Sequence, residues 1–260
     1  MADLSHARKA NPVIAPVEIK VNLDSPVTDA LDALGCAAEP PIRRDIWFAE
    51  ARTHDAGNRF PLLAGHLTIR LRSGDRDDVT VALRPCDTER LVGRWRSAFE
   101  QPEFSYRLEQ DWCGSRRVVA SSAISRRPSG SVAAALSAGD DPAHVLDSAQ
   151  RQFVVMCTPG GVPIDHLVTL GPVSSETWPQ VRIDGCPAHV ERWTVGDVDV
   201  LELAVRVIPR HGETRADLER RAATAQSVFE AAMGRRGLSV GSDHGATKTH
   251  RVMAALTVGP

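Results

Sequence analysis

Five segments in the first half of this chain alternate apolar and polar residues with a period of two, a pattern that restricts them to half-buried β-strands. Residues 17–23 set Val17, Ile19, Val21 and Leu23 against Glu18, Lys20 and Asn22. Residues 66–72 and 79–84 repeat the pattern, with Arg70, Arg72 and Arg84 on the polar faces. Residues 104–111 oppose Phe104, Tyr106 and Leu108 to Arg107, Glu109 and Asp111, and residues 117–123 form a fifth strand. Short helices are expected between them. Ser25-Pro26 opens one that runs toward Gly35, and Asp87 caps another over 88–99.

A Pro/Gly/Ser turn at 127–130 separates this half from the second. There the pattern predicts helical text over 131–148, broken at 139–142, and strands at 152–157, 166–171, 188–195 and 199–207. In the last strand Glu202, Ala204 and Arg206 share one face. The longest helix is expected over 213–236, with Leu218, Ala222, Ala225, Phe229 and Met233 as its apolar stripe and Gly237 as its stop. Two halves of one antiparallel barrel would show this pattern, and so would two unrelated α+β domains.

Composition narrows the function classes. A formal net charge of −2 with 42% hydrophobic and 25% charged residues gives no global field for nucleic acid or an anionic membrane. Aromatics are only 5% and not interleaved with basic runs, which disfavours nucleic-acid stacking. Residues 1–11 are polar, and no segment has the length and apolarity of a membrane span, so a cytoplasmic protein with no membrane partner is expected. The five cysteines are odd in number and never form a CxxC pair, against a disulfide framework or a zinc site.

The charged faces hold seven cations (Lys20, Arg70, Arg72, Arg84, Arg107, Arg206 and Lys248) and four acids (Glu18, Glu109, Asp111 and Glu202). On an open sandwich they would point into water. In a closed barrel they would line a lumen, and their cationic surplus would call for an anion such as a polyphosphate. Glu18, Glu109 and Glu202 could hold a divalent metal if they converge, although each alone reads as a partner for a nearby cation. Only three of the 31 basic residues are lysines, and Lys20 and Lys248 are two of them. An ammonium is a compact point charge suited to phosphate.

The ordered series of residues 17–20, 44–51, 67–72, 79–85, 201–203 and 247–249, joined by Leu170-Gly171-Pro172-Val173 and the long helix before Gly237-Leu238, resembles the CYTH, or triphosphate tunnel metalloenzyme, superfamily in an actinobacterial-type form. The resemblance spans residues 16–256. It implies an α+β fold: an antiparallel eight-stranded β-barrel tunnel with flanking helices. The expected layout is a flexible tail over 1–13 and a single tunnel domain over 14–258, built from lobes 14–126 and 131–258. It further implies metal-dependent hydrolysis of a triphosphate-bearing small molecule, or adenylate-cyclase-like ring closure. Carried over by position, Lys20 is a phosphate or catalytic cation. Arg70, Arg72, Arg84, Arg107, Arg206 and Lys248 grip phosphate, and Glu18, Glu109 and Glu202 bind Mg2+ or Mn2+.

The chain departs from the family pattern at Pro16, where a glutamate is usual, and at Ala82, where a basic residue is usual. Phe48-Ala49-Glu50-Ala51 and Ser174-Ser175-Glu176-Thr177-Trp178-Pro179 also differ. These departures imply an alternative: a tunnel that binds an anionic ligand or a protein partner without turnover. Thr247-Lys248-Thr249 is not a P-loop, since no glycine directly precedes the lysine. Asp243, His244 and His250 offer no third ligand at zinc spacing.

Overall fold

The computed structural model describes residues 14–52, 59–158, 162, 164–242 and 247–256. The expected tail over 1–13 lies outside them.

Ten strands form one sheet: β1 (Val17–Asn22), β2 (Ile42–Ala51), β3 (Leu67–Gly74), β4 (Asp77–Leu83), β5 (Phe99–Gln101), β6 (Phe104–Cys113), β7 (Arg116–Arg127), β8 (Leu167–Ile183), β9 (Cys186–Val195) and β10 (Val198–Val207). Their order is β1-β10-β9-β8-β2-β3-β4-β7-β6, with β5 outside on β6, and β1 returns to β6 to close the barrel. Nine strands close it, not the expected eight. An odd ring cannot alternate direction throughout, so one neighbouring pair must be parallel. That pair is β1 with β6, which sets Glu18 beside Asp111 and Lys20 beside Cys113.

The described residues also form helices α1 (Val27–Ala33), α2 (Pro61–Ala64), α3 (Ser131–Ser137), α4 (Ser148–Cys157), α5 (Arg215–Arg235) and α6 (Lys248–Leu256), of which α1 to α5 lie outside the barrel on two sides. The outward faces of β1, β9 and β10 bury Val17, Ile19, Val190 and Leu203 against Leu218, Ala222, Phe229 and Met233 of α5. Each fully buried large aliphatic or aromatic side chain of this kind contributes roughly 1.5–3 kcal/mol. The α5 stripe follows the sequence expectation, and Gly237 ends the helix at φ +71°. The outward faces of β3, β4, β6 and β7 pack on α2, α3 and α4, with Trp95 buried among Tyr106, Phe104 and Phe153.

Two local expectations fail. Residues 152–157 are not a strand but the end of α4, because Asp147 and Gln150 form a reciprocal capping box that starts a helix. Phe153, Val154 and Cys157 then face the core while Val155 and Met156 face solvent. Residues 88–99 do not form one helix. Two short 3-10 turns at Thr88–Arg90 and Gly93–Arg96 flank extended Leu91 and Val92, with Gly93 at φ +56°. This path delivers Trp95 into the aromatic cluster.

A third apolar cluster lies inside the barrel. Ile46 and Phe48 pair across β2–β3 with Arg72 and Arg70, so all four share the lumen face. With Val173, Trp193 and Val200 they pack against Val252 and Met253, and α6 thereby fills one end of the lumen.

At Gly171 the backbone has φ +133°, and an added Cβ would stand 2.9 Å from the Ile46 carbonyl oxygen. This is where the β2–β8 register shifts, between Ile46 and Phe48. Gly171→Ala is expected to destabilise the fold by roughly 1–3 kcal/mol, measured by urea denaturation. An unchanged midpoint would show that this crossing tolerates a side chain.

Candidate functional site

Strand register decides which side chains share the lumen. Across the β1–β10 pair Glu18 stands opposite Arg206 and Asn22 opposite Glu202. Across β9–β10 Glu202 stands opposite Glu191, and Ala204 opposite His189. Arg70 stands opposite Thr80, and Arg107 opposite Ser122. A cavity of about 410 Å³ results, lined by Glu18, Lys20, Arg70, Arg72, Arg84, Arg107, Glu109, Glu202, Arg206 and Lys248, which are ten of the eleven charged-face residues marked in the sequence; Asp111 does not line it. A second cavity of about 640 Å³ shares Arg72, Arg107 and Ile124 with it and continues along Arg44, Arg76, Arg126 and Arg127.

Among the lumen residues that escaped the sequence reading, four shape the charged site. His189, Glu191 and Trp193 alternate along β9, and Ser175 on β8 donates a hydrogen bond to Glu191 at 3.2 Å. The signal was present: Ala188 and Val190, on the opposite face of β9, are apolar and buried, although Arg192 breaks the pattern there. Ser174-Ser175-Glu176-Thr177-Trp178-Pro179, which shows no strand alternation in the sequence, belongs to the 17-residue strand β8.

The charges sort into two kinds. Lys20 lies 3.0 Å from Glu18 and 3.2 Å from Asp111, which also takes Arg84 at 2.7 Å. Lys248, at the start of α6, contacts Glu191, lies 3.2 Å from Glu202 and sits over the Trp193 ring at 4.2 Å. Arg206 is held by Glu109 at 2.7 Å, and Arg72 by Asp78 at 2.9 Å. Arg70 and Arg107 make no ion pair within 4.0 Å among the described residues, and the buried Nε of Arg70 has no hydrogen-bond partner.

Their titration follows from this packing. Burial and the Arg72 guanidinium bring Arg70 down to about 10, so it stays charged at neutral pH. Burial and Arg84 oppose the charge on Lys20, but Glu18, Asp111 and Glu202 outweigh them and raise its pKa. Lys20 holds Glu18 below the usual carboxylate range. Burial works against Asp111 and Glu191, yet both are lowered by their cations, Lys20 and Arg84 for the first and Lys248 and Arg70 for the second. Burial lowers the His189 imidazole, which favours its neutral form.

The expected Mg2+ or Mn2+ ligands Glu18, Glu109 and Glu202 line one cavity, but each is engaged by a different cation. No group of three His, Cys, Asp or Glu side chains among the described residues is placed to hold a metal ion. Pro16 has no side-chain donor and offers a backbone carbonyl that accepts from the Gln110 backbone N–H at 2.8 Å. The donor set does not fit a resident divalent ion.

Because folding lowers the Glu18, Asp111 and Glu191 pKa values, their stabilisation is complete above the unfolded values near about 4. It is lost as pH falls through the folded ones. The melting temperature should therefore hold from neutral pH to about pH 5 and fall steeply below about pH 4. Glu191→Gln should weaken that dependence, and an identical acid profile in the variant would contradict the assignment.

No protein-family model matches the chain, and no curated protein matches it in sequence. Solved structures do match in fold. HpAC1 from Hippeastrum, a candidate adenylyl cyclase with a dominant triphosphatase activity, superposes with a TM-score of 0.51 at 14% identity, over 91% of this chain and 95% of its own. A candidate adenylate cyclase from Bacillus halodurans gives 0.52 at 12% identity, over 91% and 96%. The architecture is an α+β tunnel of the CYTH type. Among the described residues no helix is long and apolar enough to cross a membrane.

Proposed function

We propose that the tunnel binds a phosphate-bearing small molecule, a triphosphate above all, seated by arginines and held without turnover. The observation that carries this reading is Arg70. Arg70 is half-buried on the lumen wall, its buried Nε has no hydrogen-bond partner and its guanidinium makes no ion pair, beside Arg72 and opposite Thr80. A partly desolvated cation in that state is stabilised by an anion that supplies the missing acceptor. The unsatisfied Nε of Arg84 extends the same demand around the cavity, and the more exposed Arg107 lines it with a further unpaired cation.

The triphosphatase activity of the Hippeastrum neighbour supports a polyphosphate as the ligand class. The engagement of Glu18, Glu109 and Glu202 by cations, with Pro16 at the family's carboxylate position, supports binding over hydrolysis or cyclisation. In this reading Lys20 is not a catalytic group. Glu18 and Asp111 neutralise it, and it ties β1 to β6 at the closing seam.

The test incubates the protein with tripolyphosphate, ATP and thiamine triphosphate, with and without Mg2+ or Mn2+. Melting temperature, phosphate, pyrophosphate and cyclic AMP are followed. A thermal shift with tripolyphosphate and no product is expected. Release of phosphate or cyclic AMP would sink the binding-only reading, and absence of any thermal shift would sink the ligand class. Arg70→Ala should weaken tripolyphosphate binding roughly 10- to 100-fold, from the loss of hydrogen bonds to a charged group.

A further inference from the structure

We infer that the ammonium groups of Lys248 and Lys20 stand in the places between paired carboxylates where a divalent ion would otherwise sit, so that this tunnel holds its anion without a resident metal. The second half of that statement rests on the anion-binding reading above. The first half rests on geometry alone.

At the first place, Glu191 and Glu202 face each other across β9 and β10, and the Lys248 ammonium lies between them. A divalent ion ligated by both carboxylates would need oxygens at roughly 2.0–2.6 Å. It would thus collide with the ammonium nitrogen and be repelled by its charge. Lys248 is only 5% exposed, its charge rests on the face of Trp193, and Ser175 donates to the outer side of Glu191. Rotation of the side chain out of the way is opposed by α6, whose Val252 and Met253 are packed inside the barrel.

At the second place, Glu18 and Asp111 are neighbours across the parallel β1–β6 pair, and the Lys20 ammonium lies within 3.2 Å of both. Asp111 is further covered by Arg84 at 2.7 Å and Arg116 at 3.8 Å. In both places a monovalent, covalently tethered cation satisfies two carboxylates. The charge left for a ligand is then that of the unpaired arginines.

The test is a Mn2+ titration, followed by the electron paramagnetic resonance of free Mn2+ and by calorimetry, on the unmodified protein, Lys248→Met and Lys20→Met. Circular dichroism of each variant reports folding. Lys248→Met should bind Mn2+ at least about tenfold more tightly than the unmodified protein, because it vacates the Glu191–Glu202 pair. Lys20→Met should gain less, because Arg84 and Arg116 remain on Asp111. If Lys248→Met loosens α6, the Lys20→Met gain decides the question. Tight Mn2+ binding by the unmodified protein, or no gain in a folded variant, overturns the inference.

The anion half is read separately. Tripolyphosphate affinity should change less than about threefold when EDTA replaces Mg2+, and a dependence of tenfold or more overturns it. If tripolyphosphate does not bind under either condition, the proposed function fails, while the Mn2+ titrations still judge the two lysines.

Discussion

Closure of the sheet through β1, between β10 and β6, is the constraint on which the rest of the molecule depends. It turns one face of nine strands away from bulk water. Charges that could be left solvated on an open sheet must then find partners across the lumen, since a buried charge without one costs several kcal/mol. The ion pairs of Lys20 and Lys248 answer that demand, and Arg206 does so for the carboxylate of Glu109. Apolar side chains fill one end of the lumen, where α6 brings Val252 and Met253 against Phe48 and Trp193.

Within the lumen, lysine and arginine have separate tasks. Each lysine is a point charge between two carboxylates that belong to neighbouring strands, so each ammonium also links parts of the barrel wall. The guanidiniums of Arg70 and Arg107 have no such partners, and their planar forks match the geometry of phosphate oxygens. The two lumen lysines are both internally compensated, as are Arg72, Arg84 and Arg206, and the surplus charge is left to Arg70 and Arg107.

Much of the site was legible because period-two alternation says which residues share a face. Glu18 with Lys20, Arg70 with Arg72, and Arg107 with Glu109 were grouped from alternation alone, and all of them line one cavity. Glu191 and His189 were missed because β9 was recognised as a strand without its alternation being used to assign faces. The segment at 152–157 misled for a different reason. A short apolar run fits a buried strand and a helix equally, and the choice was made by a capping box upstream at Asp147 and Gln150. In the 88–99 segment, packing of Trp95 among aromatic rings outweighed helix propensity.

By itself the sequence determined eight of the ten strands, all but β2 and β5, together with which of their faces are charged and that cations outnumber acids there, because these properties repeat locally every two residues. Tertiary structure alone decided that nine strands close, that β1 and β6 run parallel at the seam, and which carboxylate meets which cation. Those pairings join residues about 90 positions apart in Lys20–Asp111 and 57 apart in Lys248–Glu191. Local periodicity carries no information about them, because barrel closure and strand register, not the residues' own neighbours in the chain, bring them within contact.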